Sequence, residues 1–212
     1  MNGASSEASS VDARVFAVVP VKDLGGTKSR LTPILDPGAR AGLTLYMMGR
    51  VVAALREAGV ENVAVVSTDG IVLAEAEDRG AVPLRQESRG LNPALVEGRR
   101  WAVDHGASAL LVLPADLPLV EPDDVREVLG KMGEEPSVVI SPDRARAGTN
   151  ALLLRPPDAL PFAFGVGSYE AHLGAARDHG LDVRVCERPH LAFDLDTAGD
   201  LAHLEEHEVR RP

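Results

Sequence analysis

Apolar positions in this chain follow two rhythms. Short runs at 14–19, 62–67, 81–84, 109–113, 138–140, 151–154 and 183–185 have the length of strands, and the unbroken ones suit strands buried on both faces. Between them, apolar residues return every three or four positions over 38–58, 71–79, 93–105, 123–132, 169–179 and 197–207, the period of helices with one buried stripe. Leu43, Met47, Val51 and Leu55 mark that stripe in the longest helix. Asn92 stands where a helix cap belongs, with Pro93 at the favoured first position, and Ser168 stands likewise before the helix from Tyr169. The alternation predicts a mainly parallel sheet covered by helices on both faces.

No repeat, low-complexity core segment or linker interrupts this alternation, so residues 13–212 are read as a single domain. The excursions around Pro142 to Thr149 and at Pro156-Pro157 are expected to form one wall of a cleft. Residues 1–12 are small and polar, without the basic start and apolar stretch of a secretory signal, and are read as a disordered leader. No segment approaches the roughly 18 apolar residues of a membrane span, which makes a cytoplasmic protein the simplest expectation. A hydrophobic content of 45% over 212 residues suffices for one buried core. The net charge of -10 excludes a broad nucleic-acid or anionic-membrane surface, so any phosphate site must be compact. The single cysteine, Cys186, falls in a strand-like run, where a small buried thiol is expected. No disulfide or cysteine metal site is available within one chain.

Candidate chemistry gathers where predicted strands end. In Leu110-Leu-Val-Leu-Pro-Ala-Asp116-Leu-Pro118 a buried strand gives way to one carboxylate, at the end where open α/β sheets bind ligands. Asp116 either caps a turn before Pro118 or holds a divalent cation against a phosphate, since Mg²⁺ prefers oxygen ligands. After the first strand, Lys22, Lys28 and Arg30 make a locally positive loop, and Gly25 and Gly26 let its backbone approach an anion. This loop suits a polyphosphate, yet it is not a P-loop: Thr27 precedes Lys28 where that pattern needs glycine, and Lys22 takes the place of the first glycine. Thr68, Asp69 and Asn92 follow or precede other predicted elements and can hydrogen-bond a nucleobase or ribose, besides serving turns and caps.

Two further stretches complete the set. Gly148-Thr149-Asn150 and Phe164-Gly165-Val-Gly167-Ser168 form a candidate anion site, with main-chain amides at a helix start and His172 one turn further on. In Phe193-Asp194-Leu-Asp196-Thr197 the two carboxylates point the same way if the chain is extended, and they repel unless a cation lies between them. With Asp116 they would make a three-carboxylate metal site. Asp196 or Thr197 is also expected to cap the last helix.

Taken together, Pro20-Val-Lys-…-Lys28-Ser-Arg-Leu31, Gly90-Leu-Asn-Pro-Ala-Leu95, Leu113-Pro-Ala-Asp-Leu-Pro118, Gly148-Thr-Asn150, Phe164-Gly-…-Ser168-…-His172 and Asp194-Leu-Asp-Thr197 resemble, in matching order, the 2-phospho-L-lactate/phosphoenolpyruvate guanylyltransferases of coenzyme F420 biosynthesis. The resemblance implies a three-layer α/β/α, GT-A-like nucleotidyltransferase fold with a mainly parallel, mixed sheet. It implies transfer of GMP from GTP to the phosphate of phosphoenolpyruvate or 2-phospho-L-lactate, with release of pyrophosphate. Thr149, Gly165 and Ser168 would bind the acceptor, Lys22, Lys28 and Arg30 the triphosphate, and Asp116, Asp194 and Asp196 one or two Mg²⁺ ions. Monomer and homodimer both remain open. The competing expectations are a sugar-phosphate or molybdopterin nucleotidyltransferase on the same fold and a noncatalytic nucleotide-binding module.

Overall fold

A computed structural model of the chain describes residues 13–209; the leader expected over 1–12 lies outside the described residues. Its strands are β1 (Val15–Pro20), β2 (Asn62–Ser67), β3 (Val82–Arg85), β4 (Ala109–Val112), β5 (Ser137–Pro142), β6 (Thr149–Arg155) and β7 (Asp182–Val185). The helices are α1 (Pro37–Glu57), α2 (Gly70–Asp78), α3 (Leu91–Asp104), α4 (Pro122–Gly130), α5 (Ser168–Asp178), α6 (Pro189–Ala192) and α7 (Ala198–Val209). The strands form one sheet in the order β3-β2-β1-β4-β6-β5-β7. Only β6 runs antiparallel to its neighbours, so the sheet is mixed and mainly parallel.

The strands are apolar without a break because both faces are covered. Ala17 and Val19 of β1 and Leu111 of β4 pack with Met48, Val51 and Leu55 of α1, Val72 of α2 and Val125 of α4. Their alternates, Phe16, Val18, Leu110 and Val112, pack on the other face with Leu95 of α3 and Tyr169 and Leu173 of α5. Successive side chains of a strand point to opposite faces, which makes this a three-layer core. Truncating one such residue, as in Leu111→Ala, should cost about 2–5 kcal/mol. Gly98 of α3 lies so near the sheet that a Cβ there would meet Val18 at 2.6 Å and Val66 at 3.3 Å. The close approach of α3 to β1 and β2 therefore depends on this glycine.

A third, smaller apolar cluster decides where the chemistry sits. Leu31 from the loop after β1, Met47 of α1, Leu119 after β4, Phe193 and Leu195 before α7, and Leu204 of α7 pack together. It draws the beginning, middle and tail of the chain to the carboxyl edge of the parallel strands. The stripe expected along α1 therefore divides, Met47 serving this cluster while Val51 and Leu55 serve the main core.

Three local expectations are corrected. Asn92 does not cap α3; the cap is Gly90, at φ 103, and Asn92 lies inside the first turn. Ser168 likewise opens α5 as its first residue, the cap being Gly167 at φ 74. Glycine takes positive φ at little steric cost, so it can replace a side-chain cap where the chain must turn sharply. Pro142 and Thr149 belong to β5 and β6, leaving only the turn between them as an excursion. The one-turn α6, begun by Pro189, was not expected from the apolar pattern, being shorter than the period can reveal.

Candidate active site

β1 and β4 are adjacent and parallel, so the loops leaving their carboxyl ends are neighbours. The antiparallel β6 brings its first residues to the same edge, since Leu152 pairs with Val112 and Thr149 lies beyond it towards Asp116. The main chain also ties the tail to this edge: Leu195 N–H donates to the Asp116 carbonyl at 3.0 Å. Leu195 is buried while Asp194 and Asp196 flank it, as a period-two segment with one apolar side requires.

The centre of the edge is a lysine between two carboxylates. Lys28 Nζ donates to Asp116 Oδ2 and Asp196 Oδ1, both at 3.0 Å. The lysine side chain is 7% exposed, while Asp116 and Asp196 are 34% and 43% exposed. Burial alone would lower the Lys28 pKa, but the charges of Asp116 and Asp196 and their hydrogen bonds outweigh it and raise the pKa above its ordinary value. Lys28 itself sits in the left-handed region, at φ 46, which turns the chain into the short helical turn Ser29–Leu31 that plants Leu31 in the apolar cluster. Asp194 adds a third acid: burial, then the charge of Asp116, push its pKa up. The Asn150 amide of β6 opposes that rise, and it donates to the carbonyl of Leu191 at 2.9 Å. Arg30 is mostly exposed and reaches Asp196 at 3.5 Å, and Lys22 is exposed.

Between Asp116 and Asp196 stands the Lys28 ammonium. Among the described residues no three His, Cys, Asp or Glu side chains form a cluster arranged to hold a metal ion. The donor set that is present consists of carboxylate oxygens, the ligand type a hard divalent ion prefers.

The other nucleotide-side candidates are tied to backbone. Gly25 N–H donates to Asp23 Oδ1 at 2.8 Å and Gly26 N–H to the Asp23 carbonyl at 3.2 Å. Asp69 caps α2 through Ile71 N–H at 2.8 Å, and its other oxygen accepts from Leu24 N–H at 3.1 Å, latching the β1 loop onto the end of β2. Thr68 is exposed beside it and offers its carbonyl to Arg85. Asn92 is tied instead to the stretch before Gly165: its amide donates to the Phe164 carbonyl at 3.1 Å and accepts from Phe164 N–H at 2.9 Å.

The acceptor candidates line a different kind of surface. Thr149 and Ser168 are buried, and between β6 and α5 runs the exposed turn Gly165-Val166-Gly167, with both glycines at positive φ (135 and 74). His172, one turn into α5, is fully buried. Its Nδ1 lies 3.0 Å from Thr149 Oγ1, its Nε2 accepts from Ala163 N–H at 3.1 Å, and its ring stands edge-on to Phe164. Burial lowers its pKa to about 4, so the ring is neutral at physiological pH. The sequence placed His172 one turn into the helix and Asn150 within the candidate anion stretch, without giving either a role of its own. The signal for both was adjacency to Thr149 and Ser168, which becomes informative only once β6 and α5 are known to meet.

The fold, a mixed sheet with helices on both faces, is one that solved nucleotidyltransferases share. A nucleotidyl transferase from Methanothermobacter superposes with a TM-score of 0.69 at 18% identity, covering 92% of this chain and 98% of that one. CMP:2-keto-3-deoxy-manno-octonic acid synthetase, solved with CTP, superposes at 0.62 with 17% identity over 92% and 98% of the two chains. Within that class, the chain belongs to the family described as "Guanylyl transferase CofC like", which matches residues 15–209. The phosphoenolpyruvate guanylyltransferase of Rubrobacter xylanophilus is 65% identical over 191 residues, 90% of this chain and 93% of that protein.

Proposed function

We propose that this protein transfers GMP from GTP to the phosphate of phosphoenolpyruvate or 2-phospho-L-lactate in coenzyme F420 biosynthesis, releasing pyrophosphate. The observation that carries the reading is the meeting of Lys28 with Asp116 and Asp196, beside the end of β6 that bears Thr149. A phosphate oxygen of the acceptor attacks the α-phosphorus of GTP, and the bond from that phosphorus to the bridging oxygen of pyrophosphate breaks. The attacking phosphate is already ionised near neutral pH, so no protein base is needed. The family and the 65% identical relative support both the reaction type and the three-carbon acceptor.

Lys22 and Arg30, exposed on the loop after β1, hold the triphosphate, and Lys28 offsets charge developing on the leaving pyrophosphate. Asp116, Asp194 and Asp196 would hold Mg²⁺, which supplies charge screening between two anionic reactants and orients them for in-line displacement. Gly25, Gly26, Thr68 and Asp69 shape the nucleotide side, Asp69 by fixing the β1 loop, whereas Asn92, expected there from the sequence, holds Phe164 beside the acceptor candidates. Thr149, the Gly165 turn and Ser168 receive the acceptor. GTP and small phosphoacids are soluble metabolites, and the reaction is assigned to the cytoplasm.

Pyrophosphate release measured with GTP, Mg²⁺ and each candidate acceptor tests the assignment. Turnover with a three-carbon phosphoacid is expected; turnover only with a sugar phosphate or a molybdopterin would overturn it.

A further inference from the structure

The buried imidazole of His172 touches two parts of the acceptor site and is used by no step above. Its Nε2 receives the Ala163 N–H and therefore carries no proton. In a neutral ring the proton must then be on Nδ1, which faces Thr149 Oγ1 at 3.0 Å. The Thr149 oxygen accepts that hydrogen bond, which leaves the hydroxyl's own proton free to be donated elsewhere. An acceptor phosphate offers oxygens and, when ionised, no protons, so it is the partner such a donor suits. The same ring fixes Ala163, two residues before Gly165, while Asn92 fixes Phe164 through both its amide atoms.

We propose that His172 is a positioning residue for the phosphoacid: as the Nδ1–H tautomer it orients the Thr149 hydroxyl as a donor and anchors the irregular segment leading into the Gly165-Val166-Gly167 turn. The proposal rests on the assignment of Thr149, Gly165 and Ser168 to the acceptor. It separates His172 from the nucleotide, so its loss acts on one substrate only. Asparagine can present an N–H near the position of Nδ1, and glutamine can present an oxygen near that of Nε2. The two substitutions thus remove the halves of the device separately.

The test combines kinetics with a direct view of the ring. His172→Gln is expected to raise KM for the phosphoacid about 10-fold, the scale for a hydrogen bond to a charged group, with KM for GTP within about twofold. His172→Asn keeps the Thr149 contact and should raise the same KM less. In a Thr149→Val background, His172→Gln should add nothing further; additive losses would overturn the proposal. Nitrogen NMR of the unmutated protein at pH 7.5 reads the tautomer independently of any variant's folding, and a proton on Nε2, or on both nitrogens, would overturn it too. Wild-type turnover with unchanged phosphoacid KM in His172→Gln defeats this proposal alone. Absence of wild-type turnover with either three-carbon acid defeats the acceptor assignment and the proposal with it.

Discussion

The two halves of the site solve opposite electrostatic problems. On the side proposed for the nucleotide, loops after β1, β4 and α6 bring one buried ammonium and three carboxylates together. On the side proposed for the acceptor, β6 and α5 offer a buried hydroxyl, a neutral imidazole and the amides of a glycine turn. Charge suits a partner whose charge changes during the reaction, because it stabilises the leaving group as it forms. Neutral donors fixed by buried partners suit a small anion that must be held still without being neutralised. The contrast is one between stabilising a transition and orienting a reactant.

Asp116→Asn breaks the first half most severely. The loss in kcat/KM should be on the order of 100- to 1000-fold, the scale for removing one preorganised electrostatic group, with little change in melting temperature because the side chain is a third exposed. Steady-state kinetics and thermal melts on one preparation check both parts. Lys28→Met leaves Asp116 and Asp196 facing each other without their ammonium, and a loss of roughly 100-fold is expected, with KM for GTP rising and that for the phosphoacid unchanged. Should Lys28→Met act on the phosphoacid instead, the division between halves fails.

Asn92→Ala moves the second half. Two hydrogen bonds to Phe164 vanish, so KM for the phosphoacid should rise about 10-fold and stability fall by about 1–3 kcal/mol. A selective rise in KM for GTP would return Asn92 to the base. The neutral ring also gives the acceptor half a pH signature. With a pKa of 6.5 in the unfolded chain and about 4 in the folded one, the unfolded state binds a proton between those values that the native state does not. Stability therefore falls as pH drops from 6.5, by about 3 kcal/mol at pH 4, and denaturant titrations of wild type against His172→Asn should show that slope lost in the variant. Smallest is Arg30→Ala: an exposed arginine 3.5 Å from Asp196 should contribute less than about 1 kcal/mol to stability while weakening GTP binding in a salt-dependent way.

Much of the fold was readable because apolar periodicity reports burial directly. The strands at 62–67 and 109–113 and the long helix from 38 gave unbroken or one-sided patterns that only a covered sheet explains. The reversal of β6 was not readable, since an apolar run buried on both faces looks the same in either direction. The same limit applies to the site. Asp116, Asp194 and Asp196 stood out as polar interruptions of apolar segments, whereas Lys28 as the cation between two of them required tertiary pairing. Asn92 offered a cap residue's chemistry, and the chain instead used Gly90, freeing Asn92 to bind Phe164.

The most direct measurement follows oxygen through the reaction. Phosphoenolpyruvate labelled with ¹⁸O in its phosphate, incubated with GTP and Mg²⁺, should yield a guanosine diphosphate-linked acid that keeps the label in the new bridge between the two phosphorus atoms, with unlabelled pyrophosphate released. Label in the pyrophosphate, or no nucleotide-linked acid at all, would contradict attack by the acceptor phosphate at the α-phosphorus.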